Sequence, residues 1–347
     1  MRAGRSRRAA TLVAVVVVLG VTTPPAAAHA ITGIASTNYE TVLLGPTPSV
    51  PGVAIRLRDL GRRVEVANAT KTDVVISGYS NEPYLRVGPD GVYQNSRSPT
   101  LYQNQVTTPG VAAVIPPEAS ASAPPDWHRV SRAHVVRWRD QRTRHEGAAP
   151  PAVQRAPHQT HIVSTWSILM TWGTTQIVAN GLIRWTPGPA AWPWYVAAVA
   201  VAAAVLAGAR SSRWAPALTT ATAAIVAVDV VHSLVAVVPA SDSLTQAAAK
   251  FVLGGLVSVV AWVAGAAGAA LLEREKTDGL FLAVFAGVVL LLTGGLGDLT
   301  LLGRSQIPYA VDPVVARALV SLTAGLGAGV VAGGIDRLRR PGAPARP

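Results

Sequence analysis

Two kinds of apolar spacing divide the chain. Between Thr41 and Asn95 apolar and polar residues alternate in short runs, "AIRLRDL", "RRVEVANA", "DVVISGY" and "YLRVG", with turn formers "LGRR", "NATKTD" and "GPDG" among them. Alternation at a period of two sends one set of side chains to a core face, so these runs predict half-buried strands. From Tyr195 onward the apolar runs are unbroken: Tyr195–Ala209, Ala215–Val238, Phe251–Leu272, Leu280–Leu302 and Val314–Ile335. A helix needs about 20 apolar residues to cross ~30 Å of hydrocarbon, and most of these runs have them. The first is the shortest; "WPWY" at Trp192 extends it with an interfacial aromatic anchor. Gly- and Ala-rich stretches such as "WVAGAAGAA" and "LTAGLGAGVVAGG" predict closely packed helix backbones.

The stretch "VEVANATKTDVVISGY" reads as two strands flanking a turn, typical of an Ig-like sandwich. An irregular Pro-rich insertion covers about 96–126, ending in "VIPPEASASAPP". Strand character resumes at "WHRVSRAHVVRWRD", and "HIVSTWSILMTW" with "TQIVANGLIRWTP" predicts a final hairpin leading to the membrane. The predicted fold class is therefore an exported Ig-like β-sandwich-type domain (29–190, one continuous β domain) followed by a five-helix transmembrane bundle (191–336) and a basic tail (337–347).

The chain begins with Arg2, Arg5, Arg7 and Arg8, then the apolar run Thr11–Val21, then "TTPPAAAHA". Basic region, short apolar region and small residues together predict a signal peptide over 1–28, cleaved before His29 or Ile31. Export places the β domain outside, so "RSSR", "EREKTD" and the tail "RLRRPGAPARP" fall on the cytoplasmic side. Lys and Arg gather there, as the positive-inside rule requires. The expected location is the plasma membrane, multi-pass, with the N-terminal domain outside and the C-terminus cytoplasmic.

Charge and composition narrow the function classes. The net charge is +12, but no Lys/Arg stripe interleaves with stacking aromatics, so nucleic acid is not an expected partner. Membrane lipid and an envelope protein are the expected partners, with arginine serving as membrane-flanking charge and surface solvation. Cysteine is absent, which excludes disulfides, thiolate metal sites and covalent haem attachment. No G-x-S-x-G, H-E-x-x-H, P-loop or S-x-x-K pattern occurs, so an enzyme is the third reading.

Ionisable residues in apolar spans carry the most information. Asp229 and His232 lie at i and i+3 of the second span, on one helix face. With Lys250, Asp298 and Arg317 they fall at one depth of the bundle, its predicted outer third. Three readings stand: Asp229 or Asp298 pairs with Lys250 or Arg317 and holds the bundle together, the group forms a small polar site for a cation or proton, or the residues fall by chance in the interfacial water layer.

In the exported half, "EPYLRVGPDGVY" predicts a strand, a tight turn and a second strand, with Pro89 and Gly91 suited to the turn. Glu82, Tyr84, Arg86, Tyr93 and Arg97 are the candidate partner-binding edge; the alternative is a hairpin pinned by ion pairs. The E-P-Y-L-R-x-G-P-D-G-V-Y core (Glu82–Tyr93), the W-x-R-V-S segment (Trp127–Ser131), the Trp-Pro-Trp approach to the membrane and "GLGDLTLLGRSQIP" resemble a family of uncharacterised actinobacterial exported multi-span membrane proteins along nearly the whole mature length. The resemblance implies no agreed reaction. Where the family reads R-W-H-D-H-R, this chain has Arg137, Trp138, Arg139, Asp140, Gln141 and Arg142, which weakens any inherited metal site.

Metal binding is the one chemistry with candidates. His158 and His161 form H-x-x-H, and a free α-amine with the His29 imidazole suits copper(II). The "AHA" junction resembles the mature start of exported copper-resistance protein C. The expected function is a non-enzymatic envelope protein whose exported β domain binds a partner while five spans anchor it. The alternative is extracytoplasmic handling of a metal, copper(II) being the best match, with the polar site of the bundle contributing.

Overall fold

The computed structural model describes residues 34–106 and 111–340. The predicted signal peptide (1–28), the candidate ligand His29 and the end of the basic tail from 341 lie outside the described residues. Among the described residues two compact units emerge, one of Asn38–Pro187 and one of 188–340 together with 34–37.

The first unit is antiparallel β. Its strands are β1 (Tyr39–Thr47), β2 (Val53–Arg58), β3 (Arg63–Asn68), β4 (Val74–Ser77), β5 (Pro83–Gly88), β6 (Gly91–Asn95), β7 (Trp127–Ser131), β8 (Val135–Arg139), β9 (His161–Trp172) and β10 (Thr175–Trp185). Seven pair in the order β1-β10-β9-β4-β5-β6-β7, and three in the order β2-β3-β8. The period-two pattern explains the packing: Val64, Val66, Val136 and Trp138 of the small sheet share one core with Ile76, Val87, Ile168, Met170 and Ile177 of the large one. The "NATKTD" turn passes the chain from the small sheet to the large sheet, and the predicted β9–β10 hairpin forms, Trp172 opposite Thr175. Within "WHRVSRAHVVRWRD" the two strands separate: β7 joins β6 and β8 joins β3. The insertion after residue 95 holds one short helix, Pro99–Gln105, and its segment 111–126 forms no strand.

Among the described residues the second unit has five helices long and apolar enough to cross a membrane: α1 (Trp192–Arg210), α2 (Trp214–Val237), α3 (Leu256–Glu273), α4 (Gly279–Gly303) and α5 (Pro313–Arg339). Val196, Val199, Val260, Val263 and Leu253 stand more than half exposed. Such surface is unfavourable in water and neutral in lipid, so the protein is a multi-pass membrane protein. The glycines of α5 permit its close approach to α1: a Cβ at Gly325 would lie 2.6 Å from the Ala198 carbonyl oxygen, and one at Gly329 2.6 Å from Val205 Cβ. Two segments depart from α-helix. A π-helical turn at Lys250–Gly254 precedes α3, and α4 passes through a π turn at Leu291–Gly295 into 3₁₀ helix at Leu296–Gly303. Such irregular turns redirect side chains and recur at functional positions.

Candidate functional site

The polar residues of the bundle meet around the irregular half of α4. Asp229 and His232 project inward from α2 and are 2% and 3% exposed; Asp298, on the 3₁₀ stretch, is 7% exposed. They form two linked groups. In one, Trp262 Nε1 of α3 donates to Asp229 Oδ2 at 2.8 Å. In the other, His232 Nε2 lies 2.6 Å from the Tyr309 hydroxyl and 3.3 Å from Asp298 Oδ2, and Tyr309 donates to Asp298 Oδ2 at 3.3 Å. Tyr309 belongs to the loop between α4 and α5. That loop is fixed by the Ala310 amide donating to the Val235 carbonyl and by the Thr37–Gln306 bridge.

Asp229, His232, Asp298 and Tyr309 wall a cavity of about 50 Å³, lined also by Ser36, Ser233, Ser258 and Thr293. At about 10–15 Å³ per water centre it has room for roughly three to five waters, or for one small ion with part of its hydration shell. Gly294, in the π turn, makes space for the acid: a Cβ there would collide with Asp229 Oδ1.

The two predicted cations sit elsewhere in the hydrogen-bond pattern. Lys250 Nζ donates to the Ala240 carbonyl at 2.5 Å, capping the end of a turn. Arg317, 7% exposed, donates through Nη2 to the Arg304 carbonyl at 2.8 Å, and its Nε is a buried donor with no partner among the described residues. The structure thus brings Asp229, His232 and Asp298 together and directs Lys250 and Arg317 to backbone carbonyls. Sequence reading missed Trp262 and Tyr309. A tryptophan in the middle of an apolar span is a usable signal, because its indole N–H needs an acceptor that lipid cannot supply. Tyr309 carried no such signal, since its loop is polar.

The candidate edge in the β domain also divides. β6 is covered by β7, so the β5–β6 hairpin lies inside the sheet and the large sheet ends at β1 and β7. Glu82 is 3% exposed and accepts from Ser98 Oγ (2.7 Å), the Ser80 amide (3.0 Å) and the Thr100 amide (3.3 Å). Burial works against its charge, but the donors from Ser98 and Thr100 hold the carboxyl below its usual range. Tyr84 is buried beside it, its hydroxyl accepting from Asn104 Nδ2 at 3.2 Å. Arg86 stacks on the Tyr93 ring, 4.1 Å from its centroid, and pairs with Asp73 at 3.3 Å. Tyr93 donates to Asp90, and Arg97 donates to the Pro124 carbonyl at 3.4 Å. Glu82 and Tyr84 therefore tie the strand to the following loop and helix, while Arg86, Tyr93 and Arg97 reach the surface.

Of the metal candidates, His158 is exposed and His161 Nε2 lies 2.8 Å from the Ala156 carbonyl oxygen, a donor's position. Among the described residues no three His, Asp or Glu side chains gather in a way that could hold a metal ion. In the segment Arg137–Arg142, buried Asp140 accepts from Trp138 Nε1 (2.9 Å) and from Arg142 Nη2 (2.8 Å), so Arg142 has a structural role there. In comparisons with known proteins, no family model matches the chain, and neither does any curated protein or solved structure.

Proposed function

We propose that this is a non-enzymatic plasma-membrane protein, its β domain outside and its C-terminus cytoplasmic, whose helical bundle takes up a small cation at Asp229. The cation is a proton, or a monovalent metal ion held by Asp229 with the serine and threonine hydroxyls of the cavity rather than by a cluster of three His, Asp or Glu side chains; both satisfy the same need. The carrying observation is the Asp229 carboxyl: almost fully buried, walling a polar cavity, and given by Trp262 its one hydrogen bond among the described residues. An indole is uncharged. A carboxylate at the centre of a bilayer costs about 2.5–3.5 kcal/mol on the lenient insertion scale; towards the outer third the cost is smaller, but a neutral donor still offsets only part of it. A positive charge in the adjoining cavity offsets the rest. His232, Tyr309 and Asp298 supply a polar wall along which an ion or proton can be handed on. The exported β domain serves as the partner-binding module. Support for the orientation comes from the Arg and Lys bias of the connecting segments.

The test is thermal unfolding of the full-length protein in neutral detergent, in sodium, potassium and N-methylglucamine chloride across pH 5 to 8. Stabilisation by sodium or potassium over the bulky cation identifies a metal ion. Stabilisation only on acidification identifies a proton. In either case Asp229→Asn should remove the increment while the protein stays folded. A wild-type protein whose stability follows neither variable differently from Asp229→Asn would overturn the proposal.

A further inference from the structure

Register gathers arginine on one face of the small sheet. Arg56 stands opposite Glu65, and Glu65 opposite Arg137; one step along, Arg58 stands opposite Arg63, and Arg63 opposite Arg139. Residues two apart on a strand share a face, so all six side chains project from the side turned away from the core, whose positions are Val64, Val66, Val136 and Trp138. Glu65 is 2% exposed because arginines cover it: Arg137 Nε at 2.5 Å, Arg58 Nη2 at 3.1 Å and Arg56 Nη1 at 3.2 Å. Arg63 pairs with Asp59. Four of the five guanidiniums pair with Glu65 or Asp59. Arg56 and Arg58 remain 60% and 45% exposed, and Arg139 is exposed as well.

We propose that this face binds a linear anionic polymer carrying one phosphodiester per repeat. Charge complementarity is the first argument: the excess of arginine is preorganised by Glu65, which fixes three forks that would otherwise repel one another, and planar guanidinium forks match phosphate oxygens. Spacing is the second. Cations on one strand are about 6.8 Å apart and neighbouring strands about 4.8 Å apart, so the two rows present charge at the interval of an extended six-bond repeat. The chemistry of the surrounding positions is the third. Ala54, Ala67 and Val135 complete the face; they are too small to insert into a bilayer as interfacial anchors do, and there is no aromatic ring for bases to stack on.

The experiment uses the full-length protein in neutral detergent and a glycerol-phosphate oligomer of about ten units as probe, read by fluorescence anisotropy. Binding should weaken with salt, with a log–log slope near 0.7 for each phosphate contacted, by analogy with single-stranded nucleic acid. Arg56→Gln combined with Arg139→Gln should weaken binding roughly tenfold at low salt and reduce that slope. These two are exposed, and removing them leaves Arg58 and Arg137 paired with Glu65. Val135→Glu, a carboxylate added to the same face, should weaken it comparably, whereas Arg129→Gln on β7 should change it less than about twofold. Equal losses from Arg129→Gln would mean that only net charge matters and would overturn the assignment. So would equal affinity for polyglutamate, or binding to vesicles containing anionic lipid without binding to the oligomer.

Discussion

Glu65→Gln isolates the electrostatic keystone of the β domain. Burial alone would raise the Glu65 carboxyl, but hydrogen bonds from Arg58, Arg137 and Arg56 outweigh it and bring the group from 4.5 down to about 2. At about 1.36 kcal/mol per pH unit, that difference corresponds to roughly 3 kcal/mol of folded-state preference for the ionised form. The arginines are 30–60% exposed, so solvent screens part of the attraction, and about 2 kcal/mol is the expected loss. The sign follows from a depressed folded value: the contribution is fully present above pH 4.5 and disappears as pH falls from 4.5 towards 2. Urea unfolding of the intact protein in detergent measures this, with pulse proteolysis of the unfolded fraction and mass spectrometry of fragments from residues 53–68. Wild type should exceed Glu65→Gln by about 2 kcal/mol at pH 7 and at pH 5.5, and the two should converge near pH 2. A difference that does not change between pH 5.5 and 2 would show that Glu65 acts through packing, and the charge-based account would be wrong.

Two further outcomes are expected. Trp262→Phe removes the donor to Asp229 and should cost about 1–3 kcal/mol, seen as a lower Tm in detergent; combined with Asp229→Asn its effect should be clearly less than additive. A reporter active only outside the cytoplasm should work when fused after Pro189 or within 239–250 and fail after Arg213 or Lys276; activity at the latter two sites would reverse or break the proposed orientation.

Most of the architecture was legible in the sequence because it is written in local patterns. The five apolar runs coincide with α1 to α5 within a few residues at most ends, since length and continuous hydrophobicity are all that a span requires. The largest difference is at the third, where the π turn at Lys250–Gly254 displaces the helix start to Leu256. Alternation likewise marked β3, β4 and the β9–β10 hairpin, and Gly88–Gly91 closed the predicted turn. β1 was not singled out as a strand, because "TVLLGPT" alternates weakly and its pairing with β10 is supplied from far along the chain.

What the sequence could not decide is which distant residues share a space. β7 and β8 are separated by three residues yet join different sheets, a choice made by the core that each strand's apolar face can enter. The arginine face exists only through register: slipping β8 by one residue would turn Arg137 and Arg139 into the core and Val136 out. In the bundle, depth alone grouped Asp229, His232, Asp298, Lys250 and Arg317. Helix rotation and the irregular turns of α4 then selected the first three, supplied Trp262 and Tyr309, and sent the two cations to carbonyl groups. Hydrophobic pattern fixes what a segment is, because each residue carries its own transfer free energy. Which polar atoms meet inside is set by packing, because a hydrogen bond depends on distances that no single segment contains.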